Sequence, residues 1–293
     1  MGSQRIIYMD HSATTFVKPD VLDAMIPYFT EHFGNPSSVY GIARDSKKAI
    51  DAARVQAARA LGADPEEIYF TSGGSESDNW AIKGIAFANR KRGNHIITTQ
   101  IEHHAVLHAC QFLEKEGFEV TYLPVDQYGL VNPRDLETAI TDTTILVSIM
   151  YANNEIGTIE PVAELGAIAR RHKVYFHTDA VQAIGNIPLD VKASNIDLLS
   201  LSAHKFYGPK GVGALYIRKG VRIDNLIHGG GQERKRRAGT ENIAGIVGLG
   251  KAIEMATADI PGHNAKIRAM RDRLIRGVLE KIPNARLNGH PDK

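Results

Sequence analysis

The sequence has a single cysteine, Cys110, among 293 residues. That excludes an internal disulfide framework and any CxxC metal site, and it fits a reducing compartment. Charge of one dominant sign is also missing: 35 Lys and Arg stand against 33 Asp and Glu, a net +2. Nucleic-acid and membrane partners usually select a concentrated basic face, so neither is expected here. No apolar run reaches the roughly 18 residues of a membrane span, and the opening MGSQRIIYMD turns polar too soon for a secretory signal. The expected location is cytoplasmic. Internal repeats, low-complexity tracts and Pro-rich linkers are absent as well, which leaves one continuous large domain as the simplest reading.

What the sequence does have is alternation. Apolar, β-rich runs at 67–72, 95–99, 119–125, 144–150, 174–180, 197–203 and 213–218 are separated by longer segments of helical period. This is the pattern of a doubly wound α/β fold with a mainly parallel sheet flanked by helices. Over 75–91, Trp80, Ala81, Gly84, Ile85 and Ala88 make one stripe. Asn132, Pro133 and Asp135 mark a helix start. Past residue 258 the pattern changes. Ile267, Met270, Leu274, Val278 and Ile282 line one face of a helix over 264–282, and a strand start is expected at 285–289. One helix and one short strand cannot close a core. The expected division is a large domain over 16–258, with 1–15 and 259–293 forming part of a small domain cut off in its middle.

In an open α/β sheet, ligands sit beyond the carboxyl ends of the strands. The runs end there in SGGSES, IEHH, NNEIG, Asp179 and SAHK. Gly73, Gly74 and Ser75 open a helix directly after a strand, where free N–H groups, a hydroxyl and the helix dipole suit a phosphate. An ordinary turn with Ser75 as N-cap reads equally well. GPKGVG at 208–213 lacks the spacing of a nucleotide P-loop. Lys205 follows an apolar strand. A desolvated amine can condense with an aldehyde, which is work for lysine rather than arginine; the plain alternative is a lysine snorkelling from a loop. Asp179 can hold a pyridine nitrogen protonated, and Gln182 can donate to a phenolic oxygen. His103 can stack on a ring and move protons, and Asn154 can reach the ring's other edge. Singly, each of these is more often a structural polar group; their joint placement points to a pyridoxal phosphate (PLP) site.

The motifs YMDHSATT, FGNPSS, FTSGGSESDN, EHHAV, NNEIG, HTDAVQ, SAHKFYGPKGVGALY and HGGGQERKRRAGTEN, in that order across 6–293, resemble those of class V PLP enzymes, specifically the NifS-like and IscS-like cysteine desulfurases. The resemblance implies the aspartate-aminotransferase type of fold. It implies Lys205 as the Schiff-base lysine, Asp179 on the pyridine nitrogen, Gln182 on the phenolic oxygen, His103 over the ring face and Asn154 beside the ring. Gly74, Ser75, Ser202 and His204 would hold the phosphate, with Thr240 reaching in from a second subunit of a homodimer. The implied reaction takes sulfur from L-cysteine, releases L-alanine and leaves a persulfide for a sulfur acceptor or an iron–sulfur scaffold protein.

In that family the nucleophilic cysteine loop and a carboxylate-binding arginine lie beyond the position of Lys293, so an incomplete chain is expected. Cys110 falls in register with Val106, Leu107 and Leu113 and reads as a core thiol. A selenocysteine lyase shares every motif above. The basic run 234–237 admits a scaffold or binding role, although such a run is usually a solvated surface. His104 and His108, four apart on a helix, lack a third ligand nearby and read as a solvated face, so no metal is expected.

Overall fold

The computed structural model describes residues 6–292; residues 1–5 and 293, at the two ends of the expected small domain, lie outside the described residues. The strands are β1 (Ile68–Thr71), β2 (His95–Thr99), β3 (Glu119–Leu123), β4 (Thr144–Ser148), β5 (Tyr175–Asp179), β6 (Leu198–Ser202) and β7 (Gly213–Ile217). Each lies within one of the apolar runs. They form a sheet in the order β1-β7-β6-β5-β4-β2-β3. β7 is antiparallel to both neighbours and the other pairings are parallel, so β1 to β6 all end at the same rim.

The strand sequences explain this placement. β2, β4, β6 and β7 are buried at every position, as strands covered on both faces must be, and their apolar runs are nearly unbroken. Alternation divides the side chains between two cores. Ile97, Val147, Phe176, Leu199 and Tyr216 enter one, while Ile96, Leu146, Leu198 and Leu215 enter the other. Each such residue contributes about 1.5–3 kcal/mol on full burial. The helix Gly74–Asn89 covers the second core with Trp80, Ala81, Ile82, Ile85 and Ala86, while Gly84 and Ala88 of the expected stripe are also buried, and the Trp80 indole donates to the Asp224 carbonyl at 2.9 Å.

The outer edge of β1 is occupied by side chains. Arg54 and Arg234 each donate to the Ile68 carbonyl at 2.6 Å, and the Phe70 N–H donates to Glu233 at 2.9 Å. The basic run 234–237 stays exposed at Arg234 and Lys235 and is partly covered at Arg236 and Arg237, yet it makes specific contacts. Besides its bond to Ile68, Arg234 lies 4.3 Å over the Tyr69 ring, and Arg237 pairs with Glu76 at 2.8 Å. The backbone of Glu233, Arg234 and Lys235 is left-handed, with φ of 42°, 56° and 65°. Non-glycine residues adopt that conformation at a cost, which the ion pairs around the turn offset.

The last long helix spans Ile260–Lys281, and its stripe of Ile267, Met270 and Leu274 faces solvent. No strand forms at 285–289. The segment instead packs on the 156–158 loop, where the His290 N–H donates to the Thr158 hydroxyl at 3.1 Å and a Cβ on Gly289 would stand 2.1 Å from the Ile156 carbonyl oxygen. With no sheet edge beside it, an extended segment has nothing to pair with.

Candidate functional site

All the polar strand ends open onto one cavity of about 440 Å³ at the common rim. Gly74, Ser75, His103, Asn154, Asp179, Gln182, Ser202, His204 and Lys205 line it, although they come from separate segments between Gly74 and Lys205. Thr240 does not; it borders a smaller cavity of about 130 Å³ beside Ser72 and Glu233.

At the phosphate-like corner, the helix Gly74–Asn89 begins without a side-chain cap. Ser75 thus lies inside the first turn and is no N-cap, and its side chain is exposed. Uncapped N–H groups at a helix start attract an anion. Gly213 on β7 lets this turn sit where it does, because a Cβ there would stand 2.8 Å from Gly73 and 2.5 Å from the Leu201 carbonyl oxygen. Ser202 and His204 follow β6 into the same corner. His204 Nδ1 meets the Thr14 hydroxyl at 3.0 Å, and burial lowers its pKa, with Lys205 and Lys210 adding to the effect.

The half-buried Lys205 amine donates to the Ser12 carbonyl and to the Ala13 carbonyl at 2.9 Å. Burial lowers its pKa, against the opposing pull of Asp179, Asp10 and Glu155. More of the amine is neutral than for a free lysine, as a nucleophilic lysine requires. Gln182 donates to the same Ser12 carbonyl at 2.9 Å. Asp179 ends β5 and accepts from the Val181 N–H at 2.9 Å; burial raises its pKa, while His103 and Lys205 favour its charged form. His103 caps the helix His104–Lys115, with its Nδ1 accepting from the Ala105 N–H at 3.1 Å. With Nδ1 accepting, Nε2 is the ring nitrogen left to donate. Asn154 donates to Glu155 at 2.9 Å.

Sequence reasoning did not single out Asp10, Ser12 and Asp78, which also line the cavity. Asp10 and Ser12 belong to YMDHSATT, a motif with no strand or helix periodicity to place it. Asp78 carried a usable signal: it is an acid on the buried side of its helix, next to Ser77 and near Trp80. The His104 and His108 rings stack at 5.1 Å. Among the described residues the group that brings metal-type ligand atoms together is instead Asp78, His103 and Asp179, within 4.8 Å.

A lysine at a strand end, an acid beneath it and an uncapped helix start, all at one rim of an α/β sheet, define a PLP-dependent enzyme of fold type I. The chain belongs to the family described as Aminotransferase class-V, whose profile matches residues 7–293. It is 68% identical over 287 residues to a protein named cysteine desulfurase IscS from Methanosarcina thermophila, covering 98% of this chain and 71% of that one. Among solved structures, a NifS-like protein superposes with TM-score 0.92 at 45% identity, covering 94% of this chain and 76% of that one. A structure titled SspA in complex with cysteine superposes with TM-score 0.86 at 44% identity, covering 92% and 78%. Pyridoxal phosphate is the cofactor of this class, and the residues present fit it. The uncapped turn with Ser75, Ser202 and His204 offers donors for a phosphate, Lys205 offers an amine, and the buried Asp179 offers a carboxylate for a ring nitrogen.

Proposed function

We propose that this chain is a cysteine desulfurase, taking sulfur from L-cysteine, leaving L-alanine and passing the sulfur on as a persulfide. The carrying observation is that Lys205, Asp179, Gln182, His103 and the open turn at Gly74 meet in one cavity. The likeness to a structure titled as a complex with cysteine supports the substrate.

When bound, PLP supplies an aldehyde and a ring that withdraws electrons from the substrate's α carbon. Gly74, Ser75, Ser202 and His204 hold its phosphate, and Lys205 is its attachment point. Asp179 would keep a proton on the ring nitrogen, Gln182 would donate to the phenolic oxygen, His103 would lie over the ring face and Asn154 beside the ring. The Lys205 amine would carry the α proton, and His103 would serve proton transfer beside it. The sulfur then passes to the thiolate of an acceptor molecule, which forms an S–S bond to the substrate sulfur as the C–S bond breaks and alanine is left. That thiolate is not Cys110, which is fully buried and whose thiol is pushed up to about 12 by burial.

The reading extends to a homodimer, in which Thr240, which does not line its own chain's cavity, reaches its partner's. It also extends to a cytoplasmic setting, a sulfur-acceptor or iron–sulfur scaffold partner, and a division into a large domain over 16–258 with 1–15 and 259–293 in a small one. No helix among the described residues is long and apolar enough to cross a membrane.

The test is to soak the purified protein in PLP and trap with borohydride. A coloured protein with a reduced tag on the Lys205 peptide, absent in K205A, is expected. Alanine release from cysteine, measured alongside with a small thiol added as sulfur acceptor, checks the substrate. A colourless protein with no tag would sink the assignment.

A further inference from the structure

Beneath the cavity runs a row of polar side chains that the proposed chemistry leaves unused. Ser148 on β4, His177 on β5 and Ser200 on β6 lie side by side, each fully buried. His177 Nδ1 is 2.8 Å from the Ser148 hydroxyl and Nε2 is 3.0 Å from the Ser200 hydroxyl. Burial drives the ring's pKa down to about 3, so it is neutral and carries one N–H. If Ser148 donates to Nδ1 and Nε2 donates to Ser200, the Ser200 hydroxyl keeps its own hydrogen for the Asp78 carboxyl against which it lies. The reverse order leaves Asp78 without that donor. The row therefore ends on Asp78, which is 1% exposed and borders the cavity.

Asp78 Oδ1 has no hydrogen-bond partner and stands 3.7 Å from His177 Nε2. Asp78, Asp179 and His103 bring one atom each within 4.8 Å of one another. Glu102 also faces Asp78, while Lys205 and His103 face Asp179. We propose that Asp78 is a positioning residue for Asp179: anchored by the Ser148–His177–Ser200 row, its carboxyl fixes the place and the charge of the Asp179 carboxylate on the cavity floor. The proposal rests on reading Asp179 as the partner of the ring nitrogen.

The physical reason is that two carboxylates so close and so buried are not both ionised; one takes the proton. Asp78 is the deeper, meets Asp179, Glu102, the Ser200 hydroxyl and the neutral His177 imidazole, with His103 at its outer side, and holds its proton well above the ordinary carboxylate range through burial and the neighbouring Asp179. Asp179 has Lys205 and His103 on its side and remains the anion. Asp78 thus concentrates the negative charge on the one carboxyl that faces the ring.

The test has two arms. In protein free of cofactor, difference infrared spectra at neutral pH should show a carboxylic-acid carbonyl band that D78N removes, distinct from the band that E102Q removes. In PLP-loaded protein, D78N keeps the shape and the missing charge and should move the midpoint of the visible absorbance–pH profile by less than about half a unit, whereas D78L and S200A move it by about one unit or more. Persistence of the acid band in D78N, or an equal shift in D78N and S200A, overturns the proposal. If the protein never takes up PLP, the reading of Asp179 fails, and the infrared arm still judges Asp78 alone.

Discussion

Arg54 and Glu233 form a two-pronged ion pair, at 2.8 and 2.9 Å, between residues 179 apart in sequence, with the side chains 9% and 3% exposed. The same carboxylate accepts the Phe70 N–H, and the same guanidinium donates to the Ile68 carbonyl. Breaking such a pair leaves one buried charge without its partner. R54M or E233Q should lower unfolding free energy by about 3–5 kcal/mol, read by chemical denaturation. A loss under about 1 kcal/mol would show that solvent reaches the surviving charge.

Glu160 gives a pH signature. It is 3% exposed, accepts the Val131 N–H at 2.9 Å, and burial raises its pKa from 4.5 to about 7. A carboxyl raised on folding favours the protonated state, so its contribution is complete below about pH 4.5 and is lost as pH rises through 7. E160Q should remove that part of the pH dependence, on the order of 3 kcal/mol at most. Parallel stability curves for the variant and the parent protein would refute the assignment.

Cys110 should be inert. Fully buried, with its thiolate disfavoured by burial and by Glu102 and Glu114, it should resist thiol reagents in the native protein and react stoichiometrically once unfolded. Fast native labelling would contradict the packing described.

Gly213 should resist substitution. G213A drives a methyl group into Gly73 and the Leu201 carbonyl, at a cost of about 1–3 kcal/mol in stability. It should also displace the uncapped turn, weakening PLP binding more than tenfold at the same time. Fluorescence titration of the cofactor and thermal melts separate the two effects.

Much of the fold was legible because the strands of a doubly covered sheet carry unbroken apolar runs that end in chemically distinctive residues. IEHH, HTDA and SAHK each announce a strand end and a cavity wall together. What stayed hidden depends on distant segments. The return of β7 between β1 and β6 follows from no local pattern. Neither does the anchoring of Arg234 on Tyr69 and of Arg237 on Glu76, which gives a solvent-facing run fixed contacts. A strand at 285–289 looked plausible from its side chains, but pairing needs an edge, and the segment has only a loop beside it. Asp78 was within reach, since an acid on a buried helical face requires a partner.

The side chains along β1 also determine how the sheet meets other molecules. Its outward carbonyl and amide groups at Ile68 and Phe70 are already spoken for, so a foreign strand finds no ladder to extend there. β3 is the opposite terminus of the strand order. Growth of this sheet by strand addition, whether in a complex or in an aggregate, is therefore closed at the β1 end.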